Sequence, residues 1–547
     1  MGKYYSKSAS LSILFICFSF QLYSQKYFPE SGQWIEIAEQ LKPVLKESII
    51  YPVGIVDIVE NKDAFQGWER RQIADMDSVY NNSFKAINNV LVDFGDHFTG
   101  YFSFDLETVR GTSDAPVRFK LTFGEVPSEM VTPFDPYSGT LSRAWLQDEV
   151  VTVMSVPARF TLDRRVSFRY LKIELLGSSR YFDFRISNME LKAVTSAGNQ
   201  PKALSDGTSE MIREIDRISM NTLKECMQTV YEDGPKRDQR LWVGDMYLES
   251  LANKFSFNNH QLTKRCLYLF AGLTDGDGYV LGTVFEEPEP HAQAGQRLMD
   301  YSLLFNVTLK EYFEATNDTG TANALWPVAQ HQLTIIDKYV TDGMVDYQRA
   351  NREWWLFFDW KRGLNKQASI QGLMMFVLQN TYELAQMLNK QEEVKTIPPK
   401  IKKLKEASLK DLYNSKTGLF ESGADRQISY ASQVWMILGG ALNKDQSQRA
   451  LTAVMNNDEA LHPGGPYMYH YFIQALVNAG MVEEAKTSLT DYWGSMIKKG
   501  ADTFWEVYDP ENDFISPYNA VTVNSYCHAW SCTPVYFIRK YPDIFQN

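Results

Sequence analysis

The period of the apolar residues changes once along this chain, and that change divides it into two folding units. From about residue 88 to 192, apolar and polar side chains alternate in short runs such as NVLVDFG, GYFSFDLE, VRFKLTFGE, SFRYLKIELLG and YFDFRISNMELKAV, broken by Gly, Pro, Ser and Asp. A period of two puts every second side chain on one face. These runs are strands of half-buried sheet, and their number predicts a β-sandwich rather than alternating strands and helices. After SAGNQPKALSDG, residues 196–207, the spacing lengthens to three and four. MIREIDRISMNTLKEC, QRLMDYSLLFNVTLKEYFEAT, KQASIQGLMMFVLQNTYELAQMLN and YMYHYFIQALVNAG carry apolar residues at helical period. About eleven or twelve such segments, with no comparable strand pattern, predict an all-α domain of helices paired around a common axis. The expected organisation is a β-sandwich with an N-terminal arm over 25–195, a linker at 196–207 and a helical domain over 208–547. In the arm, WIEIAEQLKPVLKESI is either helical or lies extended along the sandwich.

Lys3 and Lys7 precede the apolar run SLSILFICFSF, and LYSQ offers a cleavage point after Ser24. That order is the order of a secretory signal peptide. Residues 1–24 are expected to be removed on export to the periplasm or the extracellular space, and mass spectrometry of exported protein should find Gln25 at the amino terminus. No later run approaches the length of a membrane-spanning helix. Cys226, Cys266, Cys527 and Cys532 are too few for a disulfide framework and lack zinc-ligand spacing, so they are read as buried small hydrophobes. A net charge of -12 without a basic stripe argues against nucleic acid as the partner. No cofactor or metal motif is present. Twelve tryptophans and thirty tyrosines suit a ligand with apolar faces between hydroxyls, which points to carbohydrate.

Three loops between helical segments set carboxylates beside tryptophan: YEDGPKRDQRLWVGD at 231–245, REWWLFFDW at 352–360 and ADTFWEVYDP at 501–510. Loops so far apart in sequence converge on one pocket if they share one end of a ring of helices. Glycoside hydrolysis needs two carboxyl groups flanking the scissile bond, one to protonate the leaving oxygen and one to activate water or attack the sugar. Periodicity does not choose the pair. A non-catalytic carbohydrate-binding protein would account for the aromatic loops equally well, but it would not require converging carboxylates.

The order DGPKRDQRLWVGD, GADTFWEVYDP and SYCHAW resembles the catalytic domain of glycoside hydrolase family 78, the α-L-rhamnosidases, over about residues 200–547. VLVDFGDHFTGYFSFDL is similar to the accessory β-sandwich that precedes that domain. The resemblance implies an (α/α)6 barrel and an inverting exo-hydrolase without cofactor, releasing terminal α-L-rhamnose from an oligosaccharide, a polysaccharide side chain or a glycoside. A hydrolase of another deoxysugar or of a uronic acid on the same barrel is the alternative. By the resemblance, Glu506 takes the place of the general base. The general acid stands seven residues before the closing aspartate, which is Asp238 counted back from Asp245. Counted forward from Asp233 the position is Gln239, an amide that cannot act as an acid. The count from Asp245 is preferred because the loop is one residue short between Arg240 and Gly244. Asp233, Arg237, Trp242, Asp245, Asp359, Trp360, Trp505 and His528 fall at substrate-binding places. Three of these have structural alternatives: WWLFF as a core helix ending at Asp359, Trp505 packed behind Glu506, and His528 as a hydrogen-bonded core histidine. The family's usual Asp-Cys-Pro is Asp233-Gly234-Pro235 here.

Overall fold

The computed structural model describes residues 26–547, so the expected signal peptide lies outside the described residues. A sheet-rich N-terminal domain is followed by a helical C-terminal domain. The start of the arm is helical, at Ser31–Gln40, and this helix packs on the helical domain against His260–Gly272 rather than along the sheet. Gly272 makes the close approach possible, because a Cβ there would lie 2.7 Å from the Ile35 side chain and 3.0 Å from the Ser31 carbonyl.

Nine antiparallel strands form one sheet: β1 (Lys46–Ile50), β2 (Gly54–Glu60), β3 (Trp68–Ala74), β4 (Asn89–Arg110), β5 (Val117–Gly124), β6 (Asp148–Val153), β7 (Ala158–Thr161), β8 (Val166–Gly177) and β9 (Asp183–Thr195). The main order is β1-β9-β4-β8-β5-β6. The 22-residue β4 is its spine and pairs with β2, β7, β8 and β9. Alternation along the strands places Phe94, Phe102, Phe104, Phe119, Phe168 and Phe184 in one buried aromatic core. The register of β4 shifts between Asp93 and Phe98, and the buried His97 sits in that irregular stretch.

In the helical domain, Val243–Lys254, Met299–Thr316, Gln367–Met387, Tyr430–Leu438 and Pro466–Ala479 are buried around most of their circumference. Each packs on the next, and residues 529–540 close the circuit from the last to the first. Helices Glu210–Cys226, Thr319–Tyr339, Ile397–Asp411, Lys444–Met455 and Val482–Lys498 bury one side only and flank this circuit; His260–Gly272 flanks it too but is buried on its outer side as well, where the arm helix Ser31–Gln40 covers it. All-round apolar helices have no stable place at a surface, which sorts the two sets. The run WWLFF is not a core helix. The helix before it ends at Glu353, and the backbone of Trp355 bonds instead to its neighbour across the loop, donating to the Arg297 carbonyl (3.0 Å) and accepting from the Met299 N–H (3.1 Å).

The two domains interlock through buried charge. Arg165 donates to both oxygens of Glu232 at 2.7 Å, and Arg169 binds Asp93 of its own domain and Asp502 of the helical one. Lys236 reaches back to Glu125 (2.9 Å) and Glu129 (2.7 Å), with all three side chains almost completely buried. Burial pushes the Glu125 carboxyl up, but Lys236 and His97 outweigh it and hold the group below its ordinary value. The loop 233–240 is therefore fastened to the sheet domain just before its start, at Glu232, and at its middle, at Lys236.

Candidate active site

The loop 233–240 folds back on itself. The Asp233 N–H donates to the Arg240 carbonyl (3.0 Å), and the Arg240 N–H returns a bond to Asp233 Oδ1 (3.2 Å). At position 234 a side chain would put its Cβ 2.4 Å from the Arg237 carbonyl and 2.6 Å from Ser525 Oγ, so this loop requires glycine there. The turn buries the Arg237 guanidinium, which donates through Nε to the Val523 carbonyl (2.8 Å) and through Nη2 to Glu506 Oε2. Its Nη1 lies 3.6 Å from Asp238 Oδ1. One planar guanidinium thus spans both carboxylates and confines these two oxygens to within about 9 Å of each other. Tyr518 donates to Glu506 Oε1 and lies under the Arg237 guanidinium at 4.5 Å, while Trp530 Nε1 holds the Glu506 carbonyl at 2.8 Å.

Asp233, Arg237, Asp238, Trp242, Asp245, Trp360, Glu506 and His528 all line one cavity of about 280 Å³, at the small end of the range for small-molecule sites. Asp245 enters from the first turn of helix Val243–Lys254, where an acidic side chain suits the helix dipole. Burial drives the proton affinities of Asp233 and Asp245 well above those of ordinary carboxyls, and neighbouring carboxylates add to this. His528 is pushed the other way by burial and by Arg237, so it stays neutral. Its Nδ1, 3.7 Å from Asp245 Oδ1, has no hydrogen-bond partner among the described residues, and neither has that oxygen. Two such buried polar atoms side by side suit recognition of a ligand hydroxyl.

The adjacent residues 238 and 239 point apart. Asp238 lines the cavity with its side chain 13% exposed, whereas Gln239, at φ +58°, turns its Nε2 onto the Pro235 carbonyl (2.7 Å) and is not part of the lining. Two other sequence candidates stand outside the lining. Trp505 is packed behind Glu506 against Phe65 (ring centroids 4.1 Å apart) and Tyr526, because its loop turns the indole toward the sheet domain. Asp359 is buried behind Trp360, its Oδ2 accepting the Gly464 N–H at 2.7 Å.

Burial raises the Asp359 carboxyl to about 7. The folded protein holds this proton more tightly than the unfolded chain, so the resulting stability is fully present below about pH 4 and is lost as pH rises through about 7. Asp359→Asn, which cannot titrate, is expected to gain stability relative to wild type across that window, by at most about 1.4 kcal/mol per pH unit. Urea midpoints measured at several pH values read the difference; parallel pH profiles would place the proton elsewhere.

Sequence reading missed Tyr518, Trp355 and Trp530, and also Leu141, which reaches the cavity from the sheet domain. Thr140, next to Leu141, donates its N–H to the Tyr518 carbonyl at 2.9 Å, so the sheet domain supports the tyrosine that holds Glu506. Aromatic enrichment flagged Trp355 and Trp530 only as a class, and nothing in SPYNAV distinguishes Tyr518 from any loop tyrosine.

Comparison with known proteins places this arrangement in a family. The profile of the glycosyl hydrolase family 78 α-rhamnosidase N-terminal domain matches residues 52–193, and that of the bacterial α-L-rhamnosidase six-hairpin glycosidase domain matches residues 206–541. A rhamnosidase from Klebsiella oxytoca, solved with rhamnose bound, is 38% identical, with a TM-score of 0.89 over 93% of this chain and 99% of that one. A family 78 rhamnosidase of Bacillus sp. GL1 shares the fold at 21% identity and a TM-score of 0.71, over 86% of this chain and 49% of its own. The α-L-rhamnosidase of Streptomyces avermitilis, complexed with L-rhamnose, shares it at 13% identity and 0.63, over 91% of this chain and 44% of its own. No curated protein sequence matches the chain. The protein is a glycoside hydrolase. It belongs to the bacterial α-L-rhamnosidase family with the six-hairpin glycosidase domain.

Proposed function

We propose that the protein is an inverting exo-α-L-rhamnosidase, acting on a terminal rhamnose of a glycan or glycoside after export. The circuit of buried helices flanked by half-buried ones supports reading the catalytic domain as an (α/α)6 barrel, with the nine-stranded sheet folded into a β-sandwich before it. The observation that carries the reading is the pair Asp238 and Glu506, reached by one guanidinium and facing one single-sugar cavity. The upper limit that Arg237 sets on their separation leaves room for most of the roughly 6.5–9.5 Å range at which a water fits between sugar and base. In this mechanism Glu506, oriented by Arg237 and Tyr518, takes a proton from that water. Water attacks the anomeric carbon as the glycosidic bond breaks, and Asp238 gives its proton to the departing oxygen. Asp233 and Asp245, which hold their protons to higher pH than ordinary carboxyls, meet the sugar hydroxyls as donors or acceptors.

The cavity wall favours a deoxysugar over a uronic acid. Leu141, Leu298, Phe357 and Trp530 present apolar surface that suits a C5 methyl. The two arginines are already engaged, Arg237 with Glu506 and Arg240 near Asp238 (3.9 Å) and over the Phe285 ring at 4.4 Å. Rhamnose in the Klebsiella oxytoca structure is consistent with this preference. The test is a panel of nitrophenyl glycosides with proton NMR of the first product. Release of rhamnose from the α-L-rhamnoside, appearing first as the β-anomer, is the expected result. Hydrolysis of a uronide instead would replace the substrate assignment, α-anomer first would overturn inversion, and binding of rhamnose without hydrolysis of any glycoside would leave a binding protein.

A further inference from the structure

Trp355 stands apart from the other tryptophans. With 44% of its surface exposed, it is the most open to solvent of the tryptophans among the described residues. Its backbone is fixed by bonds to Arg297 and Met299, so a rigid main chain carries an indole open to solvent at the lining of the catalytic cavity. An exposed large apolar group calls for explanation in a way that a buried one does not.

Its place in the rim can be followed along the chain. Leu241 pairs with Val284, and Phe285 pairs with His291, in a small three-stranded sheet. This sheet ties Arg240, two residues after Asp238, to the segment 291–298, and the Arg297 carbonyl of that segment receives the Trp355 N–H. Arg240, Gln293 and Trp355 thus belong to one connected stretch of the cavity rim that begins two residues after Asp238, whereas Tyr518, which donates to Glu506, meets the Trp360 ring at 5.7 Å. Gln293 adds a second sign of a ligand: its Oε1 is buried and has no hydrogen-bond partner among the described residues. A group that protonates a leaving oxygen faces the side on which the leaving group departs.

We infer that this rim is a leaving-group subsite for a pyranose, in which the ring attached to the terminal sugar stacks its apolar face on Trp355 and offers a hydroxyl to Gln293. The inference rests on the rhamnosidase reading above and deepens it: the preferred substrate is a rhamnosylated glycan. Tryptophan supplies the flat apolar area such a ring needs at little conformational cost. Contacts made away from the broken bond then raise kcat/KM for a sugar leaving group.

The experiment compares α-L-rhamnosyl fluoride, whose leaving group is too small to occupy the rim, with isomeric α-L-rhamnosyl-glucose disaccharides. In W355A the ratio of kcat/KM for the disaccharide over that for the fluoride is expected to fall by about 10- to 100-fold, the size of effect a central aromatic contact carries. In W355F, which keeps a stacking face, most of the ratio should return. An unchanged ratio in W355A overturns the inference, because both substrates then use the indole equally or not at all. Wild type that cleaves the fluoride but none of the disaccharides also overturns it. Wild type inert toward the fluoride itself overturns instead the rhamnosidase reading on which the inference rests.

Discussion

Glu506→Gln is expected to lower turnover by roughly two to four orders of magnitude on every α-L-rhamnoside, the range carried by a positioned general base. The amide keeps the shape of the side chain and can still meet Tyr518 and Arg237, but it cannot take a proton from water. The loss should therefore be as large for an activated leaving group as for a sugar. Asp238→Asn is expected to behave differently. Proton donation matters in proportion to the basicity of the leaving oxygen, so a rhamnosyl disaccharide should suffer the same two to four orders of magnitude while nitrophenyl rhamnoside loses roughly tenfold or less. Gln239→Glu tests the other count along the loop. Residue 239 turns toward the Pro235 carbonyl, so a carboxylate there loses the existing hydrogen bond and should restore no activity to Asp238→Asn. Full activity of Asp238→Asn on the disaccharide, or restoration by Gln239→Glu, would overturn the assignment of the acid.

The second large effect is expected where the sheet domain grips the catalytic loop. Lys236 neutralises Glu125 and Glu129 inside the interface, and its neighbour in sequence is Arg237. Lys236→Met keeps the bulk and removes the charge, leaving two carboxylates close together in a poorly solvated place. Breaking a buried ion pair from one side costs about 3–5 kcal/mol. That loss should be read as a lower urea midpoint, with activity falling because Arg237 and Asp238 are no longer held in register. A triple variant, K236M with E125Q and E129Q, removes the stranded charge and should recover most of the stability. If Lys236→Met unfolds at the wild-type midpoint, the cluster contributes no net stability and the loop is held by its own turn.

What could be read in advance follows the range of the interactions involved. The sheet-rich first part of the chain and the helical second part follow from period, which is a property of neighbouring residues. Gly234 departs from the family's usual loop, and its cause is partly local, in the Arg237 carbonyl, and partly distant, in the Ser525 hydroxyl almost three hundred positions away, which together leave no space for a Cβ. The helical alternative for WWLFF fails because its backbone partners are distant in sequence. Its apolar content is right, but its backbone finds better partners in the strand-like segment 297–299 than in its own preceding turn. Motif order collected the carboxylates at positions 233, 238, 245 and 506, because charged groups beside glycine and tryptophan stand out in a loop.

The direction in which each side chain faces was decided only by the tertiary structure. Trp505 and Trp360 look alike in sequence, each beside an acid, yet one indole is spent on packing against Phe65 and the other lines the cavity. Asp238 and Gln239 are neighbours that diverge at a turn, so a count along the chain could not separate them, while a single bond to Pro235 does. Tyr518, Leu141 and the trio Lys236, Glu125 and Glu129 carry no motif at all. Their roles come from being brought together across two domains, where burial strengthens charge pairing and penalises any group left alone. Sequence by itself determined the change from strands to helices along the chain and the chemical types available to the site. The folded chain decided which of those groups share one cavity, because burial and orientation arise from contacts between residues that the linear order keeps apart.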